Sequence, residues 1–137
     1  MSELRVEAKE KELDRVLEFV NNMVKDIQCS QRAMIQLDVA VEELFVNIAH
    51  YAYGENGGDA LIVAEMQKES AILSVTFIDS GMPYNPLQKE DPDITLSVEE
   101  RQIGGLGIYM VKKTMDEIFY QYKNGQNHLT IKKKMSA

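Results

Sequence analysis

The sequence has 137 residues, of which 45% are hydrophobic and 27% are charged, a composition typical of a folded globular domain. Asp and Glu outnumber Lys and Arg by 22 to 15, and the formal net charge of -7 argues against non-specific binding to nucleic acid. The single cysteine cannot form an internal disulfide, and no apolar run is long enough for a signal peptide or a membrane span. We therefore expect one cytoplasmic domain over residues 1–137, with no direct contact to nucleic acid or membrane.

The first part of the chain is predicted to form one short strand and two amphipathic helices. Residues 4–8 (LRVEA) alternate between apolar and polar like an edge strand, and residues 11–27 place apolar side chains at helical spacing. Ser30 can cap a second helix over residues 31–53, whose apolar stripe includes Leu37, Val41 and Leu44.

The rest of the chain is predicted to form two antiparallel hairpins separated by a long loop and a short helix. Residues 60–67 and 71–79 form the first hairpin, and residues 116–123 and 127–134 form the second around an NGQ turn. The loop over residues 82–103 contains all three prolines, and loops of this length are usually functional. This order of elements predicts an α+β fold, a two-layer sandwich whose mixed, mostly antiparallel sheet carries its helices on one face.

Polar side chains occur on the predicted second helix, opposite its apolar stripe. Glu43, Asn47 and His50 share one face at about 100 degrees per residue, with apolar side chains close to them. A carboxylate and an amide in such surroundings need partners or a function, because burying unpaired polar groups costs a few kcal/mol. Taken alone, the pair is more typical of loop or backbone contacts than of catalysis, and a lone His50 is more typical of a structural residue than of a metal ligand.

A glycine cluster opens the predicted third helix. Gly104, Gly105 and Gly107 lie before or within its first turn, where free backbone N–H groups favour an anion such as phosphate. Glycines also serve turns and close packing, so this signal is weak by itself. The spacing matches neither a P-loop nor a dinucleotide-binding glycine fingerprint.

Three separated segments occur in a characteristic order: EELFVN at 42–47, DSGMPYNP at 79–86 and GGLGIYMV at 104–111. With these segments the sequence resembles the ATP-binding domain shared by gyrase, heat-shock protein 90, histidine kinases and mismatch-repair ATPases. It is most similar to the small single-domain branch of that superfamily, the anti-sigma-factor serine kinases of bacteria. The resemblance covers nearly the whole chain.

The resemblance implies a role for each matching residue at the phosphate end of an ATP site. Asn47 matches the asparagine that coordinates Mg²⁺, and Glu43 matches the general base. Gly105 and Gly107, with Gly104 beside them, match the glycines whose amides hold the phosphates. A hard oxygen ligand suits Mg²⁺ and backbone amides suit phosphate oxygens, so the chemistry agrees with the resemblance.

The resemblance also implies an adenine end of the site. Asp79 matches the aspartate that accepts a hydrogen bond from the adenine amino group, and Gly81 matches the glycine that gives the base room. The broader superfamily usually has a second glycine where this chain has Pro83, a change that the anti-sigma branch commonly shows. Residues 82–103 match the lid over the nucleotide.

The implied function is that of an ATP-dependent serine/threonine-protein kinase that binds ATP or ADP with Mg²⁺. It would phosphorylate a small anti-sigma-factor antagonist of the STAS type and sequester a sigma factor, and members of this branch often form homodimers. One alternative is a non-catalytic, nucleotide-dependent binding module that switches partners in bacterial signalling. Another is the catalytic part of a histidine kinase, which would require a phosphoacceptor histidine upstream of Asn47.

Overall fold

The structure, a computed structural model, describes residues 1–88 and 106–136. These residues form a five-stranded sheet and three α-helices, with short 3-10 turns at Glu10–Glu12 and Pro86–Gln88. In chain order the main elements are β1 (Ser2–Glu7), α1 (Leu13–Asn22), α2 (Gln31–Tyr51), β2 (Asp59–Gln67), β3 (Ile72–Asp79), α3 (Leu106–Thr114), β4 (Glu117–Lys123) and β5 (Gln126–Lys134).

The sheet has the strand order β1-β2-β3-β5-β4, so the two predicted hairpins lie side by side. All four strand pairings are antiparallel, where the sequence predicted a mixed, mostly antiparallel sheet. The α+β class with two layers is confirmed. Because β3 pairs with β5, the last residue of β3, Asp79, lies directly opposite Asn127. This register brings together two polar residues that are far apart in the sequence.

The core lies between one face of the sheet and the helices. Side chains of β3 alternate between buried and partly exposed, and Leu73, Val75 and Phe77 are all buried. Each fully buried side chain of this size stabilises the fold by about 1.5–3 kcal/mol relative to its exposed state. The core includes residues of both predicted apolar stripes and of the segment around α3, namely Val16, Val20, Leu37, Val41, Leu44, Phe45, Ile108, Val111 and Met115.

The first helix is shorter than the pattern over residues 11–27 predicts. α1 ends at Asn22, and the apolar spacing continues beyond it in turns, where Val24 is still buried. Asn21 uses its Nδ2 to donate to Leu17 O at 2.7 Å and to Asp38 Oδ1 at 2.9 Å. Asparagine is a poor helix former and bonds readily to nearby backbone, which explains why the helix ends in this region.

The second helix begins at the predicted cap and ends next to the sheet. Ser30 accepts a hydrogen bond from the backbone N–H of Ala33 at 3.0 Å, which confirms it as the N-cap. The backbone N–H of Ser30 also donates to Met135 O at 3.0 Å, and Met135 in turn donates to Ala71 O at 2.8 Å. The start of α2 is therefore fixed to the segment after β5 and to the β2–β3 hairpin.

The β4–β5 hairpin confirms the predicted NGQ turn. Asn124 has a φ of 52° and Gly125 a φ of 75°, the left-handed conformations that asparagine and glycine adopt most easily. None of the helices in the described ranges is both long enough and apolar enough to cross a membrane.

Candidate functional site

A buried carboxylate marks one end of the candidate site. Asp79, only 6% exposed, ends β3, and its Oδ1 accepts hydrogen bonds from Gly81 N and from Asn127 Nδ2, both at 2.9 Å. Both bonds engage the same oxygen, and the side chain lines a pocket. Within the described residues Oδ2 has no hydrogen-bond donor, so it is the atom that can accept a bond from a ligand.

Asn127 fixes the orientation of this carboxylate. Its Nδ2 also donates to Met82 O at 2.9 Å, while its Oδ1 accepts from Tyr84 N at 3.1 Å and from the hydroxyl of Tyr120. These partners leave only one orientation of the amide that satisfies every bond, with Nδ2 towards Asp79. Burial raises the pKa of Tyr120, so its phenol stays protonated and remains a donor.

The sequence reasoning missed Asn127, although a signal for it exists. In β5, Asn127 occupies the same inward-facing set of positions as Leu129 and Ile131, and it is 6% exposed. A polar residue at an apolar position of an alternating strand needs a buried partner. The predicted pattern could therefore have identified Asn127, but not the strand that supplies its partner.

Gly81 allows the end of α2 to approach the loop after β3. A side-chain Cβ at Gly81 would lie 2.0 Å from the backbone oxygen of Ala52, which is far closer than real atoms approach. The same oxygen accepts a hydrogen bond from Met82 N at 3.1 Å. The room at Gly81 is thus taken up by the backbone of Ala52, the residue after α2, and both Ala52 and Met82 line the adjoining pocket.

The pocket lies between α2 and the ends of β3 and β5. It contains about 480 Å³ of space between atoms, part of it open to solvent. Its walls are mostly apolar and aromatic, and its polar side chains include the carboxylate of Asp79 and the amides of Asn47 and Asn127. The other lining residues are Leu44, Ile48, Tyr51, Ala52, Phe77, Met82, Tyr84, Pro86, Tyr120 and Leu129. Such walls with few polar groups are typical of sites that bind a flat organic ring.

Glu43 and Asn47 lie together further back along α2, as their spacing of four residues predicts. Asn47 Nδ2 donates to Glu43 Oε1 at 3.3 Å, which leaves the amide oxygen of Asn47 available to a ligand. Gly107, in the first turn of α3, packs against the same carboxylate, because a Cβ there would lie 2.2 Å from Glu43 Cδ. The structure therefore brings three of the predicted site residues into contact.

The other predicted residues are described only in part. Gly104 and Gly105 lie outside the described residues, as does most of the loop predicted as a lid. His50 Nε2 lies 2.6 Å from Glu10 Oε1, a contact between two largely exposed side chains that agrees with a structural role. In the described part of the chain, no group of three or more His, Cys, Asp or Glu residues is arranged to hold a metal ion.

Residues 6–133 match the family described as the histidine kinase-like ATPase domain. Two relatives are the serine/threonine-protein kinase BtrW of Bordetella bronchiseptica, 29% identical over 102 residues, and the serine-protein kinase RsbW of Bacillus mycoides, 30% identical over 103 residues. These alignments cover 74% and 72% of this chain, and 71% and 63% of the two relatives.

Solved structures show the same fold. The RsbU and RsbW domains of Rv1364c from Mycobacterium tuberculosis superpose with a TM-score of 0.66 at 13% identity, over 100% of this chain and 33% of that one. A histidine kinase domain from Erythrobacter litoralis EL346 superposes with a TM-score of 0.56 at 16% identity, over 95% and 62% of the two chains. The resemblance inferred from the three sequence segments is confirmed: the chain belongs to the histidine kinase-like ATPase domain family.

Proposed function

We propose that this protein binds Mg²⁺-ATP and transfers the γ-phosphoryl group to a serine or threonine hydroxyl of a small STAS-type antagonist protein. We further propose that it sequesters a sigma factor in the nucleotide-bound state. The observation that carries the proposal is the contact between Glu43, Asn47 and Gly107 beside a pocket that has Asp79 at its other end. The Glu43 carboxylate, the Asn47 amide and the start of α3 lie at one end of the pocket. The buried carboxylate of Asp79, a hydrogen-bond acceptor, lies at the other end.

The residues around Asp79 suit adenine. The free Oδ2 can accept a hydrogen bond from the exocyclic amino group, whereas a carbonyl oxygen at the same position of the base would repel it. Leu44, Ile48 and Phe77 supply apolar surface for the ring faces. Because Asn127 and Gly81 fix the carboxylate in advance, little conformational freedom is lost when the base binds.

The residues around Asn47 suit a metal-bound triphosphate. The amide oxygen of Asn47 is a hard ligand of the kind that Mg²⁺ accepts, and one protein ligand is enough for an ion that keeps water and phosphate oxygens around it. Mg²⁺ would offset the negative charge of the phosphates during transfer. The backbone at the start of α3, including Gly107, offers N–H groups to phosphate oxygens, and Gly104 and Gly105 are proposed to add theirs.

Glu43 is placed to act as the general base. Its hydrogen bond with Asn47 and its contact with Gly107 hold the carboxylate next to the proposed metal ligand. In the transfer, the bond from the γ-phosphorus to the ADP oxygen breaks, a bond to the acceptor oxygen forms, and Glu43 takes the hydroxyl proton. The named relatives are kinases of serine or threonine, which supports this class of acceptor.

A phosphotransfer assay tests the proposal. Purified protein is incubated with Mg²⁺, γ-labelled ATP and each single-domain STAS protein of the source genome, and labelled protein is quantified. We expect wild type to label one of them, and Glu43→Gln to reduce the rate by about 10²–10⁴-fold, the usual contribution of a positioned base. Calorimetric titration with ATP runs in parallel, and Glu43→Gln is expected to retain nucleotide binding because Glu43 does not line the pocket.

The two readouts separate the proposed activity from the alternative. Wild type that binds ATP but labels a protein no faster than Glu43→Gln would act as a nucleotide-dependent binding module without catalysis. Wild type that binds neither ATP nor ADP with Mg²⁺ would exclude both functions.

A further inference from the structure

A groove lies beside Glu43 on a different face of α2 from the nucleotide pocket. Its lining comes from α2, from the start of α3 and from the turn before α1, namely Glu10, Val39, Glu42, Glu43, Val46, Gly107 and Met110. Asn47 lines the pocket and Glu43 lines the groove, and the two side chains meet at 3.3 Å. The two cavities therefore adjoin at the proposed catalytic pair.

The walls of the groove are apolar and accessible. Val39 is 50% exposed and Met110 44% exposed, and Val46 is partly buried between them and the core. Large apolar side chains that are exposed together are typical of surfaces that contact another protein, and methionine adapts well to different partners. The folded domain gains nothing from exposing them.

The ionisable side chains that line the groove are acidic. They are the carboxylates of Glu10, Glu42 and Glu43, and none of the described lining residues is Lys or Arg. His50, which is not among the lining residues, contacts Glu10 with its Nε2 2.6 Å from Oε1, so the negative charge open to a partner rests on the carboxylates of Glu42 and Glu43. An acidic rim around apolar walls is complementary to a segment that carries both apolar and basic side chains.

We propose that this groove docks the segment of the protein substrate that carries the acceptor hydroxyl. Apolar side chains next to the acceptor contact Val39 and Met110, and basic side chains lie beside Glu42. This inference rests on the proposed function, because it takes Glu43 as the base. Its geometric basis is continuity: the groove and the pocket adjoin where Glu43 contacts Asn47, so a hydroxyl held in the groove beside Glu43 would lie close to the phosphates of a nucleotide held at Asn47.

Fluorescence anisotropy with labelled peptides tests the groove directly. The first peptide has a central serine between leucines, with lysines beyond them. One counterpart replaces the lysines by glutamates, and another replaces the leucines by alanines. In the presence of Mg²⁺ and a non-hydrolysable ATP analogue, we expect the first peptide to bind at least roughly tenfold more tightly than either counterpart.

Two matched variants locate the binding site. Val39→Lys removes an apolar contact and places a positive charge beside the lysines of the first peptide, so it is expected to weaken binding of that peptide roughly tenfold or more. Ile35→Lys is the control, because Ile35 lies one turn earlier on α2, is 57% exposed and does not line the groove. Its peptide affinity is expected to equal that of wild type.

The remaining outcomes overturn the inference. If no peptide binds, if the three bind equally, or if Val39→Lys and Ile35→Lys behave alike, the groove does not dock such a segment. If sedimentation shows that Val39→Lys dissociates a dimer that Ile35→Lys leaves intact, the groove is covered by a second copy of the chain. Titration of wild type with ATP tests the proposed function separately. If wild type binds ATP but does not discriminate between the peptides, only the docking of the acceptor segment in the groove is overturned.

Discussion

Asp79 and Asn127 face each other across β3 and β5, with Asn127 Nδ2 2.9 Å from Asp79 Oδ1. The asparagine thus joins the proposed adenine reader to the loop that carries Met82 and Tyr84. Its position depends on the pairing of two strands that are not adjacent in the sequence. The contact links the stability of the sheet end to the shape of the pocket.

Replacing Asn127 by alanine should therefore lower both stability and nucleotide affinity. The change removes the Asn127 amide from Met82 O and from the Tyr120 hydroxyl, and a buried polar group that loses its hydrogen bond costs about 1–3 kcal/mol. We expect Asn127→Ala to lose stability of this order in urea denaturation and to bind ATP roughly tenfold more weakly in calorimetry. Gln121→Ala, an exposed change on β4, is the control, and equal ATP affinity in both variants would contradict the positioning role.

Gly81 offers a sharper steric test. In Gly81→Ala the new methyl group would lie 2.0 Å from Ala52 O, so the end of α2 and the loop after β3 must separate. We expect a clear loss of thermal stability and a loss of measurable ATP binding. Gly54→Ala is the matched control, because a Cβ there meets nothing within 4 Å. Unchanged binding by Gly81→Ala would show that the pocket does not depend on this contact.

Lys133 is expected to stabilise the end of α3. It is only 8% exposed, and its Nζ donates to Thr114 O, the last residue of the helix, at 2.7 Å. A cation at a helix C-terminus is favoured by the free carbonyls and the helix dipole. We expect Lys133→Met to lower the free energy of unfolding by about 1–2 kcal/mol in denaturation experiments. Lys134→Met, at the exposed neighbouring position, should change it little, and equal effects of the two changes would exclude the capping role.

His128 should make stability depend on pH. Burial, with a smaller contribution from Lys123, lowers the pKa of this histidine below its usual value of 6.5. The unfolded chain therefore takes up a proton here more readily than the folded chain as the pH falls below about 6.5. Stability is lost over that window, and the loss levels off below the folded-state pKa.

The His128→Gln variant removes this proton uptake. We expect its stability to fall less steeply than that of wild type as the pH falls below about 6.5, measured by denaturation at a series of pH values. An NMR titration of the histidine ring should give a pKa below 6.5 in the folded protein. Identical pH profiles for the two proteins would show that His128 titrates normally.

Much of the fold follows from local patterns. Alternation over residues 71–79 and the NGQ turn predict strands and a hairpin because side chains of a strand point alternately to opposite faces. The end of α1 is not predicted, since the apolar spacing continues through Val24 after the helix has stopped. There the side-chain bonds of Asn21 compete with helical geometry, and the hydrophobic period contains no information about them.

The site is predictable only in part for the same reason. Glu43 and Asn47 lie one turn apart on one helix, so their contact follows from helical geometry. The contact of Asp79 with Asn127 spans 48 positions and requires the pairing of β3 with β5. The close approach of Gly81 to Ala52 brings together two residues 29 positions apart, and no local pattern encodes it.

The attachments of α2 have a consequence for the kind of ligand that fits. Near its start, Ser30 bonds to Met135, and at its end the Ala52 carbonyl bonds to Met82, so the helix cannot slide along the sheet. Nine residues separate Glu43 from Ala52, which corresponds to roughly 13 Å along the helix axis. The distance between the proposed adenine end and the proposed transfer end is thus set by the helix. If the proposed function holds, the length of the ligand that spans both ends is fixed by the scaffold and does not require closure of α2 around the nucleotide.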